Sequence, residues 1–148
     1  MKIRKATLND LSYLIDFTYE EAREAEGVTK TPDTLATGIE AALRNNELAV
    51  YWVITTAENI PVGSVSCIRE WSDWHAGFYW WIQSMYLKPD VRGKGLMDRL
   101  ITHVNTEMLK QGGLELRLYV HSNNLVAKRA YKKAGFKLSD YQIMTLKS

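Results

Sequence analysis

QSMYLKPDVRGKGL, residues 83–96, joins a strand pattern, a basic glycine loop and a helix start in one short stretch. Pro89 ends the strand, Gly93 and Gly95 form the loop, and an amphipathic run begins at Leu96. A helix start presents unpaired N–H groups and the positive end of the helix dipole. Glycine lets those amides approach an anion without a Cβ in the way. The stretch therefore predicts a cradle for a pyrophosphate.

The same stretch has a simpler interpretation, in which Gly93 and Gly95 only allow a tight turn while Arg92 and Lys94 are solvated. Two other nucleotide motifs do not fit. The P-loop pattern needs Gly-Lys-Ser/Thr, whereas a glycine follows Gly93-Lys94 here. The dinucleotide fingerprint needs a third glycine that this loop lacks. The loop alone thus leaves a phosphate cradle and a plain turn open.

Outward from this stretch, the hydrophobic spacing alternates between strand-like and helix-like segments. The predicted strands are residues 1–6, 48–57, 62–70, 78–88, 114–120 and 136–146, the last being a strand or a hairpin arm. The predicted helices begin at Thr7, Pro32, Leu96 and Asn124 and end at Gly27, after Leu43, at Gly112 and at Gly135. The order β-α-α-β-β-β-α-β-α-β predicts an α/β (α+β) fold, a mixed central sheet flanked by helices.

Length and composition indicate one domain, residues 1–148, with an ordinary apolar content of 46%. A net charge of +2 argues against nucleic-acid and membrane partners, including a nucleic-acid-binding domain that would use Lys128 to Lys133. The single cysteine, Cys67, and three dispersed histidines predict no disulfide and no metal site. Without a signal-like start or an apolar span of ~18 residues, the expected location is cytoplasmic.

A second motif follows downstream, in VHSNNLVAKRAYKKAGF at residues 120–136. Asn124, Ala127, Tyr131 and the pair Gly135-Phe136 have the spacing Asn-x-x-Ala-x-x-x-Tyr-x-x-x-Gly-Phe. Together with Arg92-x-x-Gly95 this arrangement resembles the GNAT acyltransferase superfamily, as does the order of elements. One position departs from the superfamily's loop pattern, because Met97 stands where glycine or alanine is expected. That departure affects coenzyme placement more than the fold.

The resemblance implies that acetyl-CoA is the co-substrate. The backbone around Met85 and Leu87 is expected to bind the pantetheine arm, Asn124 to contact that arm, and Tyr131 to act as the general acid near the sulfur. The expected pyrophosphate ligands are the loop amides of Arg92, Gly93, Lys94, Gly95, Leu96 and Met97.

Elementary chemistry supports an acid at Tyr131. A thiolate leaving group has a conjugate acid of pKa about 8.5, and a phenol of pKa about 10 can protonate it as charge develops. The predicted reaction is direct attack of an amine on the thioester in a ternary complex, with a small-molecule amine or a protein amine as acceptor. The alternative is a catalytically idle acyl-CoA sensor, and a homodimer is compatible with the aromatic strand and the C-terminal arm.

The general base is not evident, because residues 80–84 carry no acid where many superfamily members place a glutamate. An alkylammonium must lose a proton before it can attack. Glu70 and Asp73 are the predicted candidates, acting directly or through a water that Gln83 and Ser84 position, and His75 is a further option. The neighbouring aromatic residues, Trp71 to Trp81, would suit an ammonium through cation–π attraction. Three glutamates of the first helix border an acceptor cleft or face solvent: Glu20, Glu21 and Glu24.

Overall fold

The computed structural model describes residues 1–148 as a five-stranded sheet with four α-helices. The strands are β1 (Lys2–Lys5), β2 (Val50–Thr55), β3 (Pro61–Ser72), β4 (Gly77–Leu87) and β5 (Leu116–Leu118). The helices are α1 (Leu11–Glu26), α2 (Pro32–Arg44), α3 (Leu96–Lys110) and α4 (Leu125–Lys133). Short 3-10 turns occupy Leu8–Asp10 and Pro89–Val91. None of the helices combines the length and the apolar character that a membrane crossing requires.

The sheet keeps the chain order β1-β2-β3-β4-β5, with antiparallel neighbours except for the parallel pair β4 and β5. The parallel pair is short, running only from Trp80 opposite Leu116 to Ile82 opposite Leu118. Beyond Ile82, β4 continues to Leu87 with β3 as its strand partner. Residues 83–87 therefore leave one edge of β4 without a β5 neighbour.

One extra residue, Gln83, interrupts the pairing of β3 with β4. Ser66 lies opposite Ser84, whereas the next residue, Cys67, lies opposite Ile82. Such a bulge adds one residue to one strand and bends it locally. Successive side chains of a strand point to opposite faces of the sheet. The extra residue therefore reverses which face each later residue of β4 would otherwise occupy.

The bulge determines which side chains of β4 meet each helix layer. Trp80 is buried in the core beneath α3, and Met85 and Leu87 pack against that same core after the bulge. Tyr86 lies on the other face, where its ring stacks on Phe17 of α1 with 5.6 Å between centroids. The strand thus presents its even positions to α3 before the bulge and to α1 after it.

Apolar side chains fill both spaces between the sheet and the helices. The larger cluster includes Trp80, Leu100 and Val104 and holds α3 against the sheet. The smaller cluster contains Leu14 and Ile39 and holds α1 and α2 against the opposite face. Burial of such a side chain contributes about 1.5–3 kcal/mol. The clusters therefore fix both layers as a frame for side chains that reach the open edge of β4.

An ion pair anchors the start of α1 to β1. Arg4 donates from Nη1 to Asp10 Oδ2 at 2.8 Å, and the Thr7 amide donates to the same oxygen at 2.8 Å. Burial alone would raise the pKa of Asp10, but the guanidinium and the amide outweigh burial and hold that pKa below its usual value. Thr7 and Asp10 form a capping box at this helix start.

Most predicted elements are confirmed, with ends shifted by a few residues. The α2 start at Pro32 and the helix following Asn124 lie where expected, and β5 is shorter than predicted. The predicted strand at residues 136–146 is wrong, because those residues form no strand and are almost entirely exposed. A strand needs a partner, and β5 offers only three residues at the edge where an added strand would pair. The arm consequently leaves apolar side chains in solvent, including Met144 at 95% exposure.

Candidate functional site

The open edge of β4 is occupied by a carboxylate from α1. Glu21 Oε2 accepts a hydrogen bond from the Met85 amide at 2.6 Å, which joins positions 64 residues apart in the chain. The bond closes over the part of β4 that β5 no longer covers. A carboxylate on a backbone N–H is a charge-assisted bond of the stronger kind. The Met85 amide is therefore a pre-aimed donor for an oxygen at this place.

Glu21 is an acid with an unusual proton affinity. Its burial raises its pKa from 4.5 to about 7, although the Met85 amide and the Ser84 side chain offset part of that rise. Burial disfavours the charged form of a carboxyl group, whereas donors favour it. A group with a pKa near neutrality exchanges protons readily at physiological pH.

The negative charge of Glu21 affects the pKa of two tyrosines, Tyr131 and Tyr51. The pKa of Tyr131 on α4 is raised by burial and then by the negative charge of Glu21. The pKa of Tyr51 on β2 is likewise raised mainly by burial, with a smaller contribution from Glu21. Glu21 thus sits among groups from α1, β2, β4 and α4. Both phenols stay protonated at neutral pH and can donate a proton.

A polar row crosses the sheet beneath Glu21. Tyr51 lies opposite Ser66, and Ser66 lies opposite Ser84, so the three residues follow one another across β2, β3 and β4. Ser66 is fully buried, and its Oγ makes no hydrogen bond of standard geometry, although its side chain lies close enough to Tyr51 to lower the pKa of that phenol. Buried hydroxyl groups are normally paired, and an exception commonly marks a place for water or ligand. The hydroxyl group at the centre of the row, Ser66 Oγ, therefore has unused hydrogen-bonding capacity.

Tyr131 is half-buried on α4. Its ring packs against Phe136 at 5.8 Å between centroids with an interplanar angle of 72°. The Phe136 amide donates to the Tyr131 carbonyl at 2.9 Å and closes the helix end. The Gly-Phe pair of the sequence motif therefore positions the tyrosine ring.

The glycine loop leaves the first turn of α3 open to an anion. Gly93 and Gly95 both have φ near +76°, and a Cβ built on either would meet nothing within 4 Å. Gly95 is the N-cap of α3, and no side chain caps the helix. Leu96, the first helical residue, is buried and Met97 is half-buried, both packed in the α3 core. The Met97 side chain thus points to the core side, and the unpaired amides face free space.

Arg92 and Lys94 differ in their surroundings. Arg92 donates from Nε to the Leu87 carbonyl at 2.9 Å and from Nη2 to Glu24 at 2.8 Å, and it lies over the Tyr86 ring. Lys94 is exposed in the loop. The Arg92 guanidinium is therefore engaged with α1 and with the strand carbonyl that the sequence assigns to the pantetheine arm.

Asn124 serves as the N-cap of α4, and its Oδ1 accepts from the Ala127 amide at 3.1 Å. The cap uses the side-chain oxygen and leaves the side-chain NH₂ to donate elsewhere. Asn124 thereby orients the helix that carries Tyr131.

The structure places Glu70 and Asp73 away from this cluster. Both are exposed at the distal end of the β3–β4 hairpin, as is His75. Neither carboxylate contributes to the charge felt by Tyr131, which responds to Glu21. The structure therefore brings Tyr131 together with Glu21 rather than with the acids favoured from sequence.

The aromatic residues of this hairpin are partly covered by the chain's own cations. Arg117 lies 3.5 Å from the centroid of the Tyr79 ring, and Arg69 lies 5.7 Å from that of Phe78. Trp81 stacks on Tyr119 at 4.5 Å. The ring faces of Tyr79 and Phe78 are thus already used for the cation–π contact that the sequence suggested for an ammonium ligand.

A depression of about 290 Å³ opens between α1, α2, β2 and β4, beside Glu21. Its lining includes Thr18, Leu35, Tyr51, Gln83 and Ser84, and it contains no charged side chain. The two ends of the polar row, Tyr51 and Ser84, therefore face a mainly neutral cavity.

Glu21 was not singled out from the sequence, although a signal was present. Leu14 and Phe17 are buried on α1, and Glu21 follows them at the spacing i, i+3, i+7 that marks one helix face. A carboxylate on an apolar face is either paired or functional. Glu20 and Glu24 do not follow this spacing, and both form ion pairs with arginines.

Comparison with known proteins adds a family assignment. The family model described as the acetyltransferase (GNAT) family matches residues 12–136. A solved structure described as a possible acetyltransferase from Clostridium difficile 630 is 31% identical, with a TM-score of 0.93 over 99% of this chain and 97% of that one.

Two curated relatives match over shorter stretches. The chain is 43% identical over 56 residues to a spermidine N(1)-acetyltransferase of Thermoplasma acidophilum, which covers 38% of this chain and 35% of that protein. It is 33% identical over 91 residues to the peptidyl-lysine N-acetyltransferase YjaB of Salmonella typhimurium, covering 62% and 52% respectively. The matches thus span about half or less of these relatives.

Proposed function

The chain belongs to the acetyltransferase (GNAT) family, and from that premise we propose that it transfers acetyl from acetyl-CoA to a primary amine. Residues 1–148 form one catalytic domain in this proposal. The observation that supports it is the open edge of β4, where the Met85 amide donates to Glu21, whose charge reaches Tyr131, and the uncapped start of α3 at Gly95 supplies an anion cradle further along the chain.

The thioester side of the site uses the backbone. The amides at the start of α3 bind the pyrophosphate, and free space over Gly93 and Gly95 admits it without displacing a side chain. Lys94 adds a solvent-facing charge, and Arg92 contributes after exchanging Glu24 for a phosphate. The Met85 amide binds the thioester carbonyl and stabilises the oxyanion that forms on it.

The acceptor side uses the depression beside Ser84. Its neutral lining favours an amine carried on a small, weakly charged body over a polycation. Relatives named for spermidine and for peptidyl-lysine both act on primary amines. The proposed acceptor is therefore a primary amine with a neutral substituent of a size that about 290 Å³ holds.

Tyr131 is the proposed general acid. Burial and the charge of Glu21 keep its phenol protonated. The phenol hydrogen-bonds the departing sulfur and supplies a proton as the carbon–sulfur bond breaks. Holding both substrates in register supplies much of the remaining rate. The absence of an acid in residues 80–84 favours a sensor without activity, and the buried Glu21 carboxylate counters it by supplying an acid from α1.

The test of the coenzyme side is a calorimetric titration with CoA using two matched variants. Gly95→Ala and Gly112→Ala both place a Cβ at positive φ, +76° and +72°, and both flank α3, at opposite ends. Each should lose about 1 kcal/mol of stability. Only Gly95→Ala should weaken CoA affinity, by at least about tenfold, which is about 1.4 kcal/mol.

Turnover is tested separately, by amine-dependent release of CoA followed with a thiol reagent and by mass spectrometry of the product. No heat and no change in melting temperature with CoA would contradict the proposal at the coenzyme site. Binding without turnover across a broad amine panel would support the sensor instead.

A further inference from the structure

We propose that Glu21 is the general base of this enzyme, taking the proton that the acceptor ammonium must lose once the thioester carbonyl has replaced it on the Met85 amide. The inference rests on the proposed function and adds to it the group that the sequence of β4 lacks. Its foundation is the position of the carboxylate, which reaches from α1 to the unpaired edge of β4.

The location of Glu21 suits contact with both substrates. Its Oε2 lies 2.6 Å from the nitrogen that the proposed function assigns to the thioester carbonyl. Ser84, next to Met85, lines the acceptor depression and also lowers the proton affinity of Glu21. The carboxylate therefore stands between the two places where the reacting atoms are proposed to meet.

The hydrogen bond to Met85 makes the base responsive to the first substrate. In the free protein the amide stabilises the ionised carboxylate and lowers its pKa. A thioester carbonyl that takes this amide withdraws the donor and excludes water, and both changes raise the pKa of Glu21 further. Binding of acetyl-CoA thus makes the Glu21 carboxylate a stronger base beside the reacting carbon. The fraction of enzyme in which Glu21 stays ionised, which grows as pH rises, is the fraction that takes the ammonium proton.

The polar row of Ser84, Ser66 and Tyr51 offers a route by which the ammonium proton can reach Glu21. Ser84 and Ser66 are opposite one another, and the buried Ser66 Oγ makes no hydrogen bond of standard geometry, with the Tyr51 hydroxyl as its neighbour. Tyr51 continues the row on β2. A water on Ser66 would join these groups, so Glu21 can take a proton directly or through the row.

The groups that face Glu21 come from four directions. Glu26 on its own helix raises the pKa of Glu21 slightly, and the Met85 amide and Ser84 on β4 lower it. Tyr51 on β2 and Tyr131 on α4 are the phenols within reach of its charge. No cation is among the groups that shift Glu21, so burial dominates its titration.

Glu21 takes one proton from the ammonium, and the free amine forms a carbon–nitrogen bond at the thioester carbonyl. Tyr131 gives its proton to the sulfur as the carbon–sulfur bond breaks and recovers one from the nitrogen of the new amide. Glu21 then releases its proton to solvent, so the products are the amide, free CoA and one proton.

The experiment compares Glu21→Gln with the wild type and with Glu20→Gln as a matched control. Glutamine keeps an oxygen that accepts from Met85 but cannot take the proton. Glu20 is on the same helix and pairs with Arg23 on the surface. The measurements are kcat/KM for a good amine acceptor from pH 5.5 to 9 and KM for acetyl-CoA.

We expect Glu21→Gln to lose kcat by about 10²-fold or more with little change in KM for acetyl-CoA. The acidic limb of the wild-type pH profile should disappear in Glu21→Gln and persist in Glu20→Gln. Glu21→Asp keeps the charge but shortens the side chain by one methylene. Compared with Glu21→Gln, it should recover part of kcat and part of the acidic limb of the pH profile. A structural role alone would not produce this pattern.

A second readout needs no turnover. Acetyl-CoA binding measured calorimetrically at pH 7 in buffers of different ionisation enthalpy should show proton uptake in the wild type that exceeds the uptake in Glu21→Gln. Equal proton uptake in wild type and Glu21→Gln would overturn the proposal that the thioester carbonyl replaces Glu21 on the Met85 amide.

A rate for Glu21→Gln within threefold of wild type, with the limb intact, would overturn the base assignment and leave the acetyl transfer standing. A wild type that binds acetyl-CoA but acetylates no amine would overturn both.

Discussion

Replacing Glu21 by glutamine should change how stability depends on pH. The folded protein holds Glu21 with a pKa of about 7, against 4.5 for the ordinary carboxyl. Between those two values the folded state binds more protons than the unfolded state, so wild-type stability falls as pH rises. The penalty is absent below about pH 4.5, grows through the window and is complete above about pH 7.

The size of the effect follows from the shift. A difference between 4.5 and about 7 corresponds to about 3 kcal/mol at 1.36 kcal/mol for each pKa unit. Glu21→Gln has no such titration. The stability of the variant relative to wild type should therefore rise by about 3 kcal/mol between pH 4 and pH 8, whatever its offset at pH 4.

The assay is urea unfolding followed by tryptophan fluorescence at five pH values, with Glu20→Gln as control. The variant-minus-wild-type difference should climb for Glu21→Gln and stay flat for Glu20→Gln. Parallel stability curves for wild type and Glu21→Gln would refute the burial of an ionisable carboxylate at this position.

Four further substitutions test the frame and the acid. Gly63→Ala should cost about 1–3 kcal/mol in chemical denaturation, because its Cβ would lie 2.6 Å from a Leu87 methyl, whereas Gly38→Ala, in an open helix position, should gain about 0.5–1 kcal/mol. Asn124→Ala should lower the unfolding free energy by about 1 kcal/mol through the lost cap and reduce kcat; unchanged stability would contradict that role. Tyr131→Phe should reduce kcat about 10²-fold and leave acetyl-CoA affinity in calorimetry unchanged; a fall in affinity with normal kcat would contradict the acid role.

Local patterns predicted the parts of the site that depend on adjacent residues. The strand, glycine loop and helix around Gly93 are set by nearby turn chemistry, and the helix with Tyr131 is set by its Asn124 cap and Gly135 stop. Such features need no knowledge of the distant chain. Short-range rules therefore suffice for the glycine loop before α3 and for the helix that carries Tyr131.

Features that depend on distant pairing were missed. Glu21 reaches Met85 across 64 positions, and nothing near Glu21 specifies that contact beyond its place on the buried face of α1. The strand at 136–146 failed for a related reason. Its alternating residues suit a strand, but the edge at β5 has only three residues to pair with. Residues distant in the sequence therefore determine both the Glu21–Met85 contact and the absence of a strand at residues 136–146.

The single inserted residue in β4 uncouples two stretches of one strand. On the side before Gln83, rings and guanidinium groups pack on one another at the surface, and on the side after it, the backbone meets the proposed thioester. Sequence change in the first stretch can alter what approaches the enzyme without moving the second out of register. Removing that one residue would keep Ser84 on the α1 face and Met85 on the α3 face but take away the local bend that the bulge gives β4, so a one-codon deletion there should leave the protein folded and lower its activity.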